Sequence, residues 1–322
     1  MTHTAAGPVD AWVEQIRAGD VRAVSRAITA IENHAPEAEE ILRRVFPSTG
    51  NSYWVGVTGA PGTGKSSLVD RMAAAYRKQG KKVGIIAVDP SSPFTGGSIL
   101  GDRVRMQGHA TDEGIYIRSM ATRGFLGGLA RATAEVALLL DAAGKEIVLI
   151  ETVGVGQGEV DIMRLADCTL VVLVPGLGDE VQHIKAGLME IGDVFVVNKA
   201  DREGVDRFEQ QLKAMLMLSP ERDGWRAPVV RTVATESRGV DELVTQAEAF
   251  RRHVESSGAH RERKVANWKQ RLIELLSARL MERVVGERLG EKGLDELAAQ
   301  VAERKKDPYT AVAEVLAGAG LK

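Results

Sequence analysis

Eight consecutive residues, Gly59-Ala60-Pro61-Gly62-Thr63-Gly64-Lys65-Ser66, end in a lysine beside a hydroxyl. The spacing satisfies the pattern G-x-x-x-x-G-K-[ST], in which glycines free the backbone N–H groups to turn inward on a polyphosphate. In that chemistry Lys65 reaches the β- and γ-phosphates, and the Ser66 hydroxyl sits on the accompanying magnesium. Ser67 completes the binding run. Two carboxylates are placed to join them, Asp89 after VGIIAV and Glu151 after IVLI. Both should close strands and face the crevice beyond the carboxyl ends of the sheet. Gly154, in the TVGVGQ run after Glu151, supplies a backbone N–H that can sense a γ-phosphate. The glycine-rich stretch PSSPFTGGSILGDRVRM adds Asp102 as a candidate metal ligand, with Arg103 and Arg105 as candidate phosphate partners.

A further signature reads the base. Asn198-Lys199-x-Asp201 follows an apolar run, DVFVV, about 130 residues after the phosphate loop. An Asp201 carboxylate accepts from guanine N1–H and the exocyclic amine, whereas adenine offers no such donor pair at that edge. Ala234 and Thr235 stand where a backbone N–H can meet guanine O6. The expected ligands are therefore GTP or GDP with Mg2+, and the expected reaction is GTP hydrolysis. Lys65, Asp102, Arg105 and Glu151 are candidate catalytic residues.

The elements that must hold these groups repeat as strand, loop and helix. Tyr53 to Thr58 reads as a buried strand, a helix begins at Lys65, and KVGIIAVD, EIVLIE, CTLVVLVP, DVFVVN and PVVRTVATES read as further strands. The fold class is α/β, a P-loop GTPase with a mainly parallel sheet. Residues 9–46 read as short helices, with Asp20 and Pro36 as helix starts, and PSTGNS at 47–52 reads as a linker. Beyond residue 240 the pattern is helical. Trp268, Leu272, Leu276, Leu280 and Val284 recur every fourth residue, an apolar stripe that needs a partner, either the chain's own GTPase domain or a second subunit, and the length of this charged helix favours a dimer arm. Asp307-Pro308 forms the cap and first residue of a last helix. The expected division is a helical extension over 1–50, a GTPase domain over 51–255 and a C-terminal dimerisation region over 256–322.

Composition narrows the classes. With 322 residues, 27% charged side chains and net charge −2, the chain shows no basic character that would mark a nucleic-acid binder. No apolar run approaches a membrane span, and the N-terminus lacks a secretory pattern, so the expected location is cytoplasmic. Cys168 is the single cysteine and lies in an apolar run, which suits a buried small hydrophobe.

The runs GAPGTGKSSLVD, AVDPSSPFTGGSILGDRVRM, ETVGVGQGE, PGLGDEVQHIKAG, NKAD and DPYTA, spanning about residues 55 to 310, resemble the MeaB/ArgK group of GTPases, which includes the methylmalonic aciduria type A protein. The resemblance implies a P-loop GTPase of the nickel-chaperone and signal-recognition-particle class, dimeric through its C-terminal helices. It also implies a chaperone of adenosylcobalamin-dependent acyl-CoA mutases, in which GTP gates cofactor loading from an adenosyltransferase and protects or reactivates the mutase. By the same resemblance Ser66, Asp89, Asp102 and Glu151 form the magnesium shell and Arg105 contacts phosphate. The segment from Gly176 to Gly187, with Asp179, Gln182 and Lys185, resembles the family's third switch, which relays the nucleotide state to the mutase, and this adds Lys185 to the candidate catalytic residues. Pro93-Phe94 and the run MATRGFLGG depart from the commoner family pattern, leaving the identity of the mutase open. Two rivals remain. Nickel delivery needs Cys/His ligands that one cysteine and six histidines do not supply, and a transport-associated ATPase or kinase conflicts with NKAD.

Overall fold

The computed structural model describes residues 8–89, 111–121, 126–152, 165–176, 186–218 and 220–320. The chain divides into two compact units, residues 1–262 and 263–322.

The first unit is built on a seven-stranded sheet: β1 (Tyr53–Thr58), β2 (Val83–Asp89), β3 (Ile115–Ala121), β4 (Ile147–Glu151), β5 (Cys168–Leu173), β6 (Val194–Asn198) and β7 (Val229–Thr232). The spatial order is β3-β2-β4-β1-β5-β6-β7, and every pairing is parallel. A parallel sheet needs cover on both faces, so its strands read as continuous apolar runs rather than alternating ones. Each residue of β4, β5 and β6 is indeed buried. Alternation still sorts the side chains by face. Val55, Val57, Leu149 and Leu170 pack with α4 (Lys65–Lys78) on one side. On the other, Ile86, Val148 and Ile150 meet the N-terminal helices α1 (Pro8–Arg17), α2 (Val21–Glu32) and α3 (Pro36–Val45) and helix α5 (Leu126–Ala142). Among the described residues this unit also holds helices α6 (Ala186–Ile191), α7 (Val205–Leu218) and α8 (Val240–Ser256), α8 lying against α4.

The N-terminal helices begin as the sequence predicts. The Asp20 carboxylate accepts from Ala23 N–H at 2.7 Å, and Pro36 opens α3. The segment after them is fastened to the sheet layer. Asp141, buried near the end of α5, accepts from the N–H groups of Gly50, Asn51 and Ser52 at 2.6, 3.2 and 3.1 Å, and Ser52 Oγ donates to Lys145 O.

Strand β3 is an addition to the sequence reading, which passes from the glycine-rich loop to the next helix. It is an edge strand; Tyr116 and Met120 turn to the α5 side and Ile115 and Ile117 to the other.

The second unit continues helix α9 (Ala259–Met281) into a π-helical stretch (Glu282–Leu289), then α10 (Gly290–Ala302) and α11 (Pro308–Gly318). Asp307 caps α11 by accepting from Tyr309 and Thr310 N–H, both at 3.0 Å. The stripe on α9 stands exposed at Leu272, Leu276 and Leu280, while Val284 is buried.

Candidate active site

The sheet order puts β1 between β4 and β5, so the loop leaving β1 emerges at the centre of the carboxyl edge. Gly59 has φ 146°, and a Cβ there would stand 2.1 Å from Val172 O on β5. Only glycine lets the loop leave the strand that close to its neighbour. Lys65, first residue of α4, is buried, and its ammonium donates to Gly59 O at 2.8 Å and Ala60 O at 3.1 Å. The charge is thus held over the loop at the N-terminus of a fourteen-residue helix, where partial positive charge from unpaired N–H groups adds to it.

Beside Lys65, Ser66 Oγ donates to Glu151 Oε1 at 2.6 Å. Glu151 closes β4 in register with Val57 of β1 and Ala87 of β2. The two residues singled out from sequences 85 positions apart are therefore in direct contact. Asp89, two residues past Ala87, ends β2 on the same edge.

The base-reading motif is joined to the phosphate loop through Asn198. Its amide Nδ2 donates to Thr63 O at 2.8 Å, and its Oδ1 accepts from Thr232 Oγ1 at 3.0 Å and Ala234 N–H at 3.2 Å. Lys199, in a left-handed conformation with φ 55°, donates from Nζ to Gly62 O at 2.8 Å. Asn198 and Lys199 thereby brace the loop, and Asp201 stands exposed next to them. Ala234 N–H, a sequence candidate for the base, is committed to Asn198, whereas Thr235 is exposed. Thr235 lines a cavity of about 280 Å³ with Ser66, Ser67, Asp70 and Arg71. Pro61 and Gly62 are exposed on the loop crest, with Thr63 buried under it and bonded from Oγ1 to Ala60 O at 2.8 Å.

The structure thus brings together Gly59 to Ser67, Glu151, Asn198, Lys199, Asp201, Ala234 and Thr235. Asp102, Arg105, Gly154 and Lys185, with Asp179 and Gln182, lie outside the described residues. Sequence reading missed Thr232, whose hydroxyl holds the Asn198 amide; a threonine ending a strand carries no signal until the strands are placed. Asp70 and Arg71, on the second turn of α4, were missed as cavity walls for the same reason.

The family described as "Methylmalonyl Co-A mutase-associated GTPase MeaB" matches residues 24–288. The chain belongs to the MeaB family. A relative from Pyrococcus abyssi that bears a GTPase name is 47% identical over 312 residues, 96% of each chain. The Escherichia coli GTPase ArgK is 38% identical over 255 residues, covering 76% of this chain and 77% of its own. A mitochondrial methylmalonic aciduria type A homolog of Caenorhabditis elegans is 34% identical over 264 residues, 76% of this chain and 66% of its own. Among solved structures, one titled as an LAO/AO transport system kinase superposes with TM-score 0.73 at 25% identity, covering 98% of both chains. This MeaB-family chain is a GTPase with the P-loop GTPase fold, as its sequence predicts. Among the described residues, no helix is long and apolar enough to cross a membrane, and no three His, Cys, Asp or Glu side chains group as a metal cluster.

Proposed function

We propose that this GTPase is a chaperone of an adenosylcobalamin-dependent acyl-CoA mutase, using GTP binding and hydrolysis to gate cofactor loading and to protect or reactivate its client. The observation carrying the guanine part is the brace from Asn198 and Lys199 to Thr63 and Gly62, which leaves Asp201 exposed beside the phosphate loop. A carboxylate so placed suits the guanine donor pair and disfavours adenine, which speaks against a transport ATPase or small-molecule kinase. Family membership supports the mutase as partner; an adenosyltransferase as cofactor donor is the corresponding second partner.

The donors fit magnesium. Ser66 Oγ and Glu151 Oε1 meet at 2.6 Å, with Asp89 ending the next strand but one from β1, an oxygen set of the kind that hard cation takes. Bound there, magnesium supplies charge neutralisation on the β- and γ-phosphate oxygens. Lys65 and the loop N–H groups bind the same oxygens, and Glu151 orients the Ser66 hydroxyl. Asp102, Arg105, Gly154 and Lys185 enter this reading by sequence alone, as groups that the client orders around the γ-phosphate. We divide the work along the chain as nucleotide chemistry in 51–255, a helical extension in 1–50 and dimerisation in 256–322, in a cytoplasmic protein. Exposed Leu272, Leu276 and Leu280 on α9 and Tyr309 and Val312 on α11 support a homodimer.

The test is single-turnover hydrolysis of GTP and ATP with and without methylmalonyl-CoA mutase. Slow GTP hydrolysis accelerated by the mutase, with ATP inert, is expected. A stimulation of about 100-fold corresponds to about 2.7 kcal/mol, within reach of one or two charged hydrogen bonds. A rate the mutase leaves unchanged refutes the coupling.

A further inference from the structure

The cavity beside the phosphate loop has a charged wall that hydrolysis and the Asp201 contact leave unused. It holds about 280 Å³ and is lined by Ser66, Ser67, Asp70, Arg71 and Thr235. Spacings of three and four residues put the first four on one face of α4, Ser66 and Ser67 in its first turn and Asp70 and Arg71 in its second. Thr235 comes from the helical turn Ala234–Glu236, which packs against α4. The cavity therefore runs from residues placed to hold phosphate to the turn whose Ala234 N–H is bonded to Asn198.

Arg71 has donors to spare on this wall. Among the described residues its guanidinium makes no hydrogen bond; its Nε stands 3.7 Å from Asp70 Oδ2, near enough for charge attraction and too far for a hydrogen bond. Asp70 thus tethers the guanidinium by charge while its five N–H donors stay open to a ligand. Guanine has a matching edge. Opposite the N1–H and amine that suit Asp201, it presents two acceptors, N7 and O6. Ala234 N–H, expected to meet O6, is spent on Asn198. An arginine fork meets N7 and O6 together and rejects adenine, whose amine at that edge sets donor against donor.

We propose that Arg71 reads the N7 and O6 edge of guanine across this cavity, so that the base is recognised from two sides, by Asp201 on one and Arg71 on the other. The inference rests on the guanine reading given above and adds a specificity-determining residue to it.

The experiment uses the full chain and nucleotides that differ by single groups. GDP and 7-deaza-GDP, in which C–H replaces N7, are titrated against wild type and Arg71→Met, which keeps an unbranched stem. Inosine diphosphate, which keeps N7 and O6 but lacks the amine, and 2′-deoxy-GDP serve as controls. The Arg71 side chain is 45% exposed, so its replacement should spare the fold, and comparing nucleotides within each protein cancels any general weakening. A bidentate arginine–guanine contact is of a size to give about tenfold discrimination. Wild type is expected to bind 7-deaza-GDP about tenfold more weakly than GDP, and Arg71→Met to bind the two alike. The penalty for inosine diphosphate should be the same in both proteins, because the missing amine faces Asp201. Equal binding of GDP and 7-deaza-GDP by wild type overturns the inference. A 7-deaza penalty that persists in Arg71→Met also overturns it, since another group would then meet N7. If Arg71→Met changes only the ratio of GDP to 2′-deoxy-GDP, the cavity holds the sugar, and the inference falls while the guanine reading stands. If wild type binds neither GDP nor GTP, the nucleotide reading itself fails, and the inference with it.

Discussion

Replacing Gly64 by alanine tests whether the phosphate loop and the base-reading motif form one unit. Gly64 has φ 89°, a region that costs an L-residue about 1–2 kcal/mol. Its new Cβ would also stand 2.5 Å from Asn198 Nδ2. That amide is 1% exposed and held by Thr63, Thr232 and Ala234, so it has no free direction to yield. Pushing it off these partners leaves buried polar groups unmet at a further cost of about 1–3 kcal/mol. The sum is about 2–5 kcal/mol. Gly62→Ala is the control, because φ is 79° there but a Cβ meets nothing within 4 Å, so only the backbone cost applies. Urea unfolding of both variants without nucleotide measures the difference, and GDP titration should show Gly64→Ala the weaker binder. Equal destabilisation in the two variants would mean that Asn198 does not wedge against the loop, and the coupling argued from it would fall.

Asp201→Asn should weaken GTP binding by about 1.5–3 kcal/mol, roughly 10- to 150-fold, and favour xanthosine triphosphate, because an amide meets the guanine donors poorly; competition binding with the two nucleotides reads this directly. Tyr76→Phe should be neutral or stabilising by up to about 1 kcal/mol, since its hydroxyl is buried without a hydrogen-bond partner among the described residues, and burial with the Glu248 carboxylate pushes its pKa well up; a loss above about 1 kcal/mol in urea unfolding would reveal a partner for the hydroxyl. If the proposed homodimer forms through α9, Leu276→Glu, at a position 62% exposed there, should leave folding intact and shift sedimentation at micromolar protein from dimer to monomer; a monomeric wild type, or an assembly that the substitution leaves unchanged, refutes the α9 dimer.

The parts of the site legible in sequence were those whose chemistry is carried by contiguous runs. The phosphate loop, Glu151 after its strand and the NKAD run announce themselves because backbone geometry and ligand chemistry constrain neighbouring residues together. Contacts between distant segments left no such trace. Ala234 is the instructive position: an N–H beside the base-reading motif was expected to serve guanine, yet it holds the Asn198 amide, a use visible only when β6 and β7 are paired. Strand β3 escaped for a different reason. Its alternating Ile115, Tyr116, Ile117 and Met120 are interrupted by Arg118, which pairs with Glu32 on α2, so the short run lacks the continuous apolar character of the central strands. The stripe on α9 was readable from its four-residue period, but the passage into a π-helical stretch at Glu282 was not, because that widening depends on packing rather than on any single residue.

The Asp141 carboxylate, which gathers three successive N–H groups, changes what PSTGNS means for the chain's motions. Glycine, serine and asparagine there look like a place where the chain would open first. Three amides converging on one buried acid make it a rivet, tying the opening of the N-terminal helices to the opening of α5 and the sheet behind it. In deuterium exchange, the amides of Gly50, Asn51 and Ser52 should protect on the timescale of the core although Gly50 and Asn51 sit exposed at the surface. The N-terminal helices, the segment at 50–52 and α5 would then report one cooperative opening, with no hinge at the segment that looks most like one.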